Sequence, residues 1–546
     1  MSDALPSPAL AAEPPAKSRA SRSRGGALAV AAGILLSRLA GFIRERALAH
    51  FLGNSDASGA FRAALRIPNL LQNLLGEGVL SASFIPVYAR LLAEGKEEEA
   101  NRVARTVATL LFFVASVVTL LGVLFTPAVI ELLAPGFHGE VRELTIRLVR
   151  IFFPGTALLV LSAWCLGVLN SHRRFFLSYA SPVLWNGAII ATAVVLGARM
   201  LARPHGQFDL AAWLAWGAVA GAGLQLLAQL PTVYSLTRSL WPALAVRAAG
   251  VRATLRAFGP VLVGRGSVQL SSYLDQLLAS YLGAAMVSAM AYSQTLALLP
   301  VSLFGMSISA AELPEMSSAL GTDADIREKL QARLRGGLRK VVFLVAPSVV
   351  AFLAIGPTLV AAIFQTGRFG VHDSWEVWVI LCGSAIGLTA GTQGRLLSSA
   401  YYALGDTKTP LYCALVRVSL TFVAGWALTL PLRARYGYAP VWGAVGLTGS
   451  AGVASWVEFS LLKAWLGKKI GKVKLPMGLM AQSFGAALVA GGLGWLLQQQ
   501  FSPTHPLLRA AAVVPAFGAV YLALTLALRI PEATGTVERI RRKLGR

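Results

Sequence analysis

The sequence is poor in charge. Of 546 residues only 14% are Asp, Glu, Lys or Arg, whereas 55% are hydrophobic, and the mean hydropathy is +0.63. Water-soluble domains carry about 25% charged residues, so this composition excludes an ordinary cytosolic enzyme. Acidic residues are outnumbered by basic ones, 25 Asp and Glu against 49 Lys and Arg, for a formal charge of +24. Cysteine is almost absent. Cys165, Cys382 and Cys413 lack metal or redox spacing and read as small buried apolar residues. The six histidines are scattered, and no P-loop, dinucleotide glycine fingerprint, nucleophile elbow or HExxH pair occurs. We therefore expect no enzyme and no cofactor or metal. Any transport is then passive or coupled to an ion gradient or a voltage.

What the sequence has is long apolar runs. A membrane-crossing helix needs about 20 apolar residues. Stretches of that kind predict about fourteen helices over 27–52, 58–93, 100–132, 141–171, 175–201, 209–236, 251–283, 286–320, 326–366, 374–404, 409–433, 438–467, 477–498 and 507–529. The expected fold class is an all-α polytopic membrane protein. Several runs exceed one crossing, which predicts tilt or kinks, and Pro68, Gly76 and Gly78 predict a bend in the second. The alternating ten-residue strands of a membrane barrel are missing.

Basic residues mark the cytoplasmic side. They crowd the tails, the connection 237–256, the run 321–340 and the stretch Lys463–Lys474. Only Arg142, Arg199, Arg203, Arg368, Arg433, Arg435 and Arg509 fall on the opposite side. Both termini are therefore expected in the cytoplasm. The excess positive charge is read as topology signal rather than a nucleic-acid surface, with membrane lipids as contacts of the basic C-terminal tail.

A short repeat organises the chain. Leu48-Ala49-His50-Phe51-Leu52-Gly53 recurs as Leu278-Ala279-Ser280-Tyr281-Leu282-Gly283, and Pro68 and Pro86 are echoed by Pro300 and Pro314. Six spans separate the copies, which predicts two parallel six-helix lobes with a substrate site between them near the midplane. The expected division is a disordered cytoplasmic tail over 1–26, an N-lobe over 27–236 and a cytoplasmic connection over 237–250. A C-lobe follows over 251–467, then two extra helices with their basic loop over 468–529, and a basic tail over 530–546.

Arginines that fall inside spans are the functional signal, because an Arg at mid-bilayer costs about 2.5–3.5 kcal/mol on insertion scales unless it faces water or an anion. They are Arg38, Arg44, Arg46, Arg62, Arg66, Arg90, Arg147, Arg150, Arg265, Arg395 and Arg417. Arg46, Arg90, Arg147, Arg150 and Arg417 lie nearer span ends and read as snorkelling or ion-paired. Arg62, Arg66, Asn69 and Asn73 share one face of the second helix, and Arg265, Gln269, Ser272 and Gln276 repeat that spacing on the seventh. Arg38 and Arg44 add two cations. Glu45, Glu77 and Asp275 are the expected ion-pair or gating carboxylates. A cleft walled this way selects an anion, since guanidinium donates paired hydrogen bonds to phosphate oxygens.

Five segments resemble a known family. Ser37-Arg38-Leu39-Ala40-Gly41-Phe42-Ile43-Arg44-Glu45 leads to Arg66-Ile67-Pro68-Asn69-Leu70-Leu71 and to Ser81-Ala82-Ser83-Phe84-Ile85-Pro86. Further on stand Ser181-Pro182-Val183-Leu184-Trp185-Asn186 and Tyr401-Tyr402-Ala403-Leu404-Gly405-Asp406-Thr407-Lys408-Thr409-Pro410. Together they resemble the MurJ or MviN lipid II flippases of the multidrug and oligosaccharidyl-lipid exporter superfamily. The resemblance implies fourteen spans in a bacterial inner membrane and a cationic cavity. Arg38, Arg44 and Arg66 would hold the pyrophosphate of an undecaprenyl-linked disaccharide-pentapeptide, and cell-wall synthesis proteins would be further partners. It departs from the family at Gly59, where an acidic residue is expected, and at Gln72 and Thr295, where arginines are expected. Arg62 and Arg265 are the expected substitutes. An exporter of another polyprenyl-linked oligosaccharide and a non-transporting cell-wall scaffold are the alternatives.

Overall fold

The computed structural model describes residues 16–239, 241–318, 323–501 and 505–545, without the side chains of 16–29, 77, 260, 263–272, 323, 536, 539, 540, 543 and 544. Every regular element among them is helical. The first six long helices are α1 (Ala16–Leu52), α2 (Asp56–Leu75), α3 (Glu97–Leu124), α4 (Gly139–Ser171), α5 (Pro182–Leu201) and α6 (Gly206–Thr237). The next six are α7 (Ala249–Ser280), α8 (Ala284–Pro300), α9 (Asp323–Ala354), α10 (Val371–Ala403), α11 (Lys408–Thr429) and α12 (Pro440–Ile470). Finally come α13 (Met477–Gln500) and α14 (Pro506–Ala527). Twelve helices among the described residues are long and apolar enough to cross a membrane; α1 and α7 are further long helices outside that set. Large apolar side chains such as Leu35, Leu39, Phe112, Phe113 and Leu488 stay exposed, as a surface solvated by lipid requires.

Two corrections concern helix ends. Residues 16–26, expected in the N-terminal tail, already belong to α1. The second apolar run bends, but Pro68 is not the break: α2 continues through it and ends at Gly76. Two short helices, Glu77–Ser83 and Ile85–Ala93, complete the run. They part at Phe84, just before Pro86, which has no N–H to continue the ladder.

Helices α1–α6 pack on one another, with α6 against α4 and α5, α2 against α4, and α1 against α5. In the second set α10 packs on α12, α9 and α8, and α11 on α12, while α13 lies on α9 and α14. Helix α7 touches both sets, meeting the Glu77–Ser83 helix and also α11. One direct crossing between the sets is α2 on α8. There Ser58 Oγ and Ser288 Oγ, separated by 230 residues, lie 2.8 Å apart. The repeat copies Leu48–Gly53 and Leu278–Gly283 start at that same separation, so repeat-equivalent residues touch where a pseudo-twofold axis would pass.

Gly53 and Gly283, the last residues of the two repeat copies, both have positive φ (64° and 104°); Gly53 directly follows α1, whereas Gly283 directly precedes α8 and α7 ends earlier, at Ser280. Gly59 explains one departure from the family pattern. A Cβ there would lie 1.9 Å from the carbonyl oxygen of Ala284, so an acidic side chain cannot fit at this crossing.

The lobes are tied at one end. Arg368 N donates to His50 O at 2.9 Å, Asn54 Nδ2 to Glu376 Oε2 at 2.7 Å, and Tyr292 OH to Gly53 O at 3.2 Å. Tyr292, Phe364 and Phe369 pack together beneath, with ring centroids 4.8–5.9 Å apart. Arg46 donates to Ala362 O and Ile363 O at 2.8 and 2.7 Å, capping the last turn of the Gly356–Phe364 helix.

Candidate functional site

Arg44 and Glu45 come from α1, and Arg62, Arg66 and Asn69 follow at i, i+4 and i+7 on α2, so helical geometry puts the latter three on one face. That face lines a cavity of 210 Å³ between α1, α2, α7 and α8. Glu45, 8% exposed, is held between two cations: Arg44 Nη2 lies 2.6 Å from its Oε1 and Arg62 Nη2 2.8 Å from its Oε2. Arg62 also lies over the Tyr292 ring, 3.9 Å from its centroid, and Arg44 over Trp185 at 5.1 Å. Arg62 Nε and Arg44 Nε are buried donors with no hydrogen-bond acceptor among the described residues.

Arg66 lies one turn further along. Its Nη2 donates to Gln294 Oε1 at 3.4 Å, and its backbone carbonyl accepts from Tyr273 OH at 3.2 Å. Asp275 of α7 has Arg66 and Arg417 as its electrostatic neighbours. Because guanidiniums resist desolvation less than an ammonium does, this arrangement can be half-buried and still charged. Three arginines against Glu45 and Asp275 leave the cavity net positive.

A second cavity of 770 Å³ continues from the first, sharing Asp275, Met290, Gln294 and Leu298. Its charges come from the second lobe. Arg417 Nε of α11 pairs with Glu458 Oε2 of α12 at 2.9 Å, while Arg395 of α10 lies beside both without an ion pair among the described residues. Ser399 and Tyr402 also line it.

The expected site residues divide accordingly. Arg44, Glu45, Arg62, Arg66, Asn69 and Asp275 meet at the first cavity. Arg38 and Asn73 are exposed and line neither cavity. The side chains of Arg265, Gln269 and Glu77 lie outside the described residues. Thr295 lines the first cavity, with its hydroxyl donated back to Ala291 O at 2.9 Å; Gln72 lines neither.

Sequence reasoning named Arg395 among the arginines inside spans without giving it a role, passed over Glu458, and read Arg417 as a span-end cation. The available signal was Glu458 itself, a carboxylate inside an apolar run that also calls for a partner. Tyr292, Trp185 and Gln294 carried no such signal, because their roles depend on which helix faces them.

Comparison with known proteins follows this geometry. A family model described as lipid II flippase MurJ matches residues 48–511. The chain is 32% identical over 474 residues to the lipid II flippase MurJ of Burkholderia cenocepacia, covering 85% of this chain and 88% of that one. It is 30% identical over 395 residues to the probable lipid II flippase MurJ of Haemophilus influenzae, covering 70% and 76%. Among solved structures it superposes on a lipid II flippase MurJ in an inward closed conformation with a TM-score of 0.72 at 19% identity, covering 95% and 99% of the two chains. An inward-facing multidrug resistance MATE family transporter of the MOP superfamily superposes with a TM-score of 0.62 at 17% identity, covering 79% of this chain and 95% of that one. At those identities the structures speak for the fold alone.

Proposed function

The chain belongs to the lipid II flippase MurJ family, and from that premise we propose how its cavity carries lipid II from the inner to the outer leaflet of a bacterial cytoplasmic membrane. It is a membrane transporter, not an enzyme. The observation that carries the reading is the pair of buried arginine donors at the first cavity, Arg44 Nε and Arg62 Nε, that no protein acceptor engages. A pyrophosphate is the ligand chemistry those donors fit, being anionic, rich in acceptors and suited to paired N–H contacts. Arg62 supplies a cation that Gln72 and Thr295 leave out of the family pattern. Arg44 and Arg66 complete the set on this face. Arg38, Arg265, Asn69, Asn73 and Gln269 extend it where the substrate reaches further along α1, α2 and α7.

Fourteen spans with both termini cytoplasmic place the tied ends of the lobes, around residues 50–58 and 364–376, on the outer side. The substrate then enters from the inner leaflet, and the lobes rock so that they part at the α2–α8 crossing and the tied ends, releasing it outward. With the cell interior negative, each negative charge carried outward is favoured by about 2.3 kcal/mol per 100 mV. The same field draws the emptied cationic cavity back. Glu45, placed between two arginines, is the internal anion that substitutes for substrate between cycles, and Asp275, between Arg66 and Arg417, couples the two cavities. Glu77 is a gating carboxylate on the short helix that meets α7.

The test is complementation of bacteria depleted of their lipid II flippase. The chain restores growth, and Arg44→Ala and Arg62→Ala, inserted in the membrane at wild-type level, do not. Normal insertion without rescue by the wild-type chain would assign it to another polyprenyl-linked oligosaccharide. Full rescue by the alanine variants would assign it to a scaffold role.

A further inference from the structure

On the outside of the N-lobe, away from the central cavity, α4 and α6 enclose a groove of 550 Å³ lined by Glu143, Ile146, Arg147, Arg150, Ile151 and Trp216. Arg147 and Arg150 are both exposed, and neither has an ion pair or hydrogen bond among the described residues. They are three residues apart, about 4.5 Å along the helix axis, so both can reach one ligand. Glu143, one turn before Arg147, stays beyond ion-pairing distance of either cation. Two cations against one carboxylate leave the groove with one net positive charge.

Depth makes that charge informative. Helix α4 has 33 residues, about 50 Å at 1.5 Å per residue, against a hydrocarbon core of about 30 Å. With the excess shared between its ends, Arg147 and Arg150, about 12 and 17 Å from Gly139, fall at and just below the headgroup boundary. Trp216, 52% exposed, marks the same level, since tryptophan collects at membrane–water interfaces. Cations facing lipid at that depth call for an anion on the lipid side.

We propose that this groove is a binding site for the phosphodiester of an anionic glycerophospholipid in the leaflet at the Gly139 end of α4. The two guanidiniums chelate the phosphate. Ile146, Ile151 and the Trp216 ring receive the first acyl carbons. A lipid with one net negative charge neutralises the groove, whereas a zwitterionic lipid brings its own cation and does not. The inference is independent of what the central cavity carries.

Native mass spectrometry of the detergent-purified full chain, titrated with phosphatidylglycerol or phosphatidylcholine, tests it. The wild type retains phosphatidylglycerol in preference, and R147Q/R150Q weakens that retention about tenfold or more, a change of at least about 1.4 kcal/mol. R147K/R150K, which keeps both charges, retains the preference and shows that the groove has folded. Equal retention by the wild type and R147Q/R150Q overturns the proposal, as does equal retention of the two lipids by the wild type. Displacement of phosphatidylglycerol by millimolar inorganic phosphate overturns the lipid assignment in favour of a free anion.

Discussion

Replacing Glu45 by Gln removes the one carboxylate that separates Arg44 from Arg62. The carboxylate lies 2.6 and 2.8 Å from the two guanidiniums, and the three side chains are only 10–16% exposed. Deleting one partner of a buried ion pair costs about 3–5 kcal/mol, because the remaining charge stays desolvated. Here two charges of the same sign are left facing each other, so the upper half of that range applies. Each kcal/mol lowers the melting midpoint of a 150–250-residue unit by about 2–4 °C, and the N-lobe is of that size. Glu45→Gln should therefore melt several degrees lower in detergent, read by loss of the monodisperse peak on heating.

The cycle with Arg62→Gln makes the reasoning specific. If the pair is the source of the cost, Glu45→Gln/Arg62→Gln should be milder than the sum of the single variants by about 0.5–3 kcal/mol. Arg62→Lys should restore the charge but not the stacking on Tyr292, worth about 2 kcal/mol when desolvated. A Glu45→Gln protein that melts with the wild type, or strictly additive single and double variants, would refute the ion-pair account.

Two further outcomes follow from the geometry. Ser58→Cys/Ser288→Cys should cross-link spontaneously, since the two hydroxyls are 2.8 Å apart; the bond should arrest transport until dithiothreitol breaks it, and free transport by the cross-linked protein would contradict the rocking model. In the loop before α11, Asp406 accepts from Lys469 Nζ at 2.5 Å and from Thr409 Oγ1 at 2.6 Å, and these bonds hold its carboxyl well below its ordinary 3.8. A lowered pKa gives stability that is fully present above the ordinary value and lost as pH falls through the lower one. The melting difference between wild type and Asp406→Asn should thus stay constant from about pH 5 to 8 and shrink only in stronger acid.

Much of the fold was legible because the solvent is legible. Long apolar runs can only be helices in hydrocarbon, where every backbone N–H and C=O must pair within its own segment. Helical spacing then put Arg62, Arg66 and Asn69 on one face without reference to any other helix. What the spacing could not supply was which helices face one another. Arg395, Arg417 and Glu458 come from α10, α11 and α12, and no periodicity links three helices. Asn73 follows the stripe perfectly yet stays exposed and out of the cavity, which the period of a single helix cannot show.

Sequence by itself determined that this chain lives in a membrane, repeats itself once and carries arginines that lipid will not tolerate unpaired. Those follow from local physics: transfer energy, helical period and chain order. Tertiary structure alone decided which arginines are paired. Glu45 pairs with Arg62 as well as with its neighbour Arg44 because α2 brings Arg62 to it, and Gly59 must be glycine because the Ala284 carbonyl occupies the space of its side chain. Charge at a site is a sum over neighbours in space, and only the packed helices say who the neighbours are.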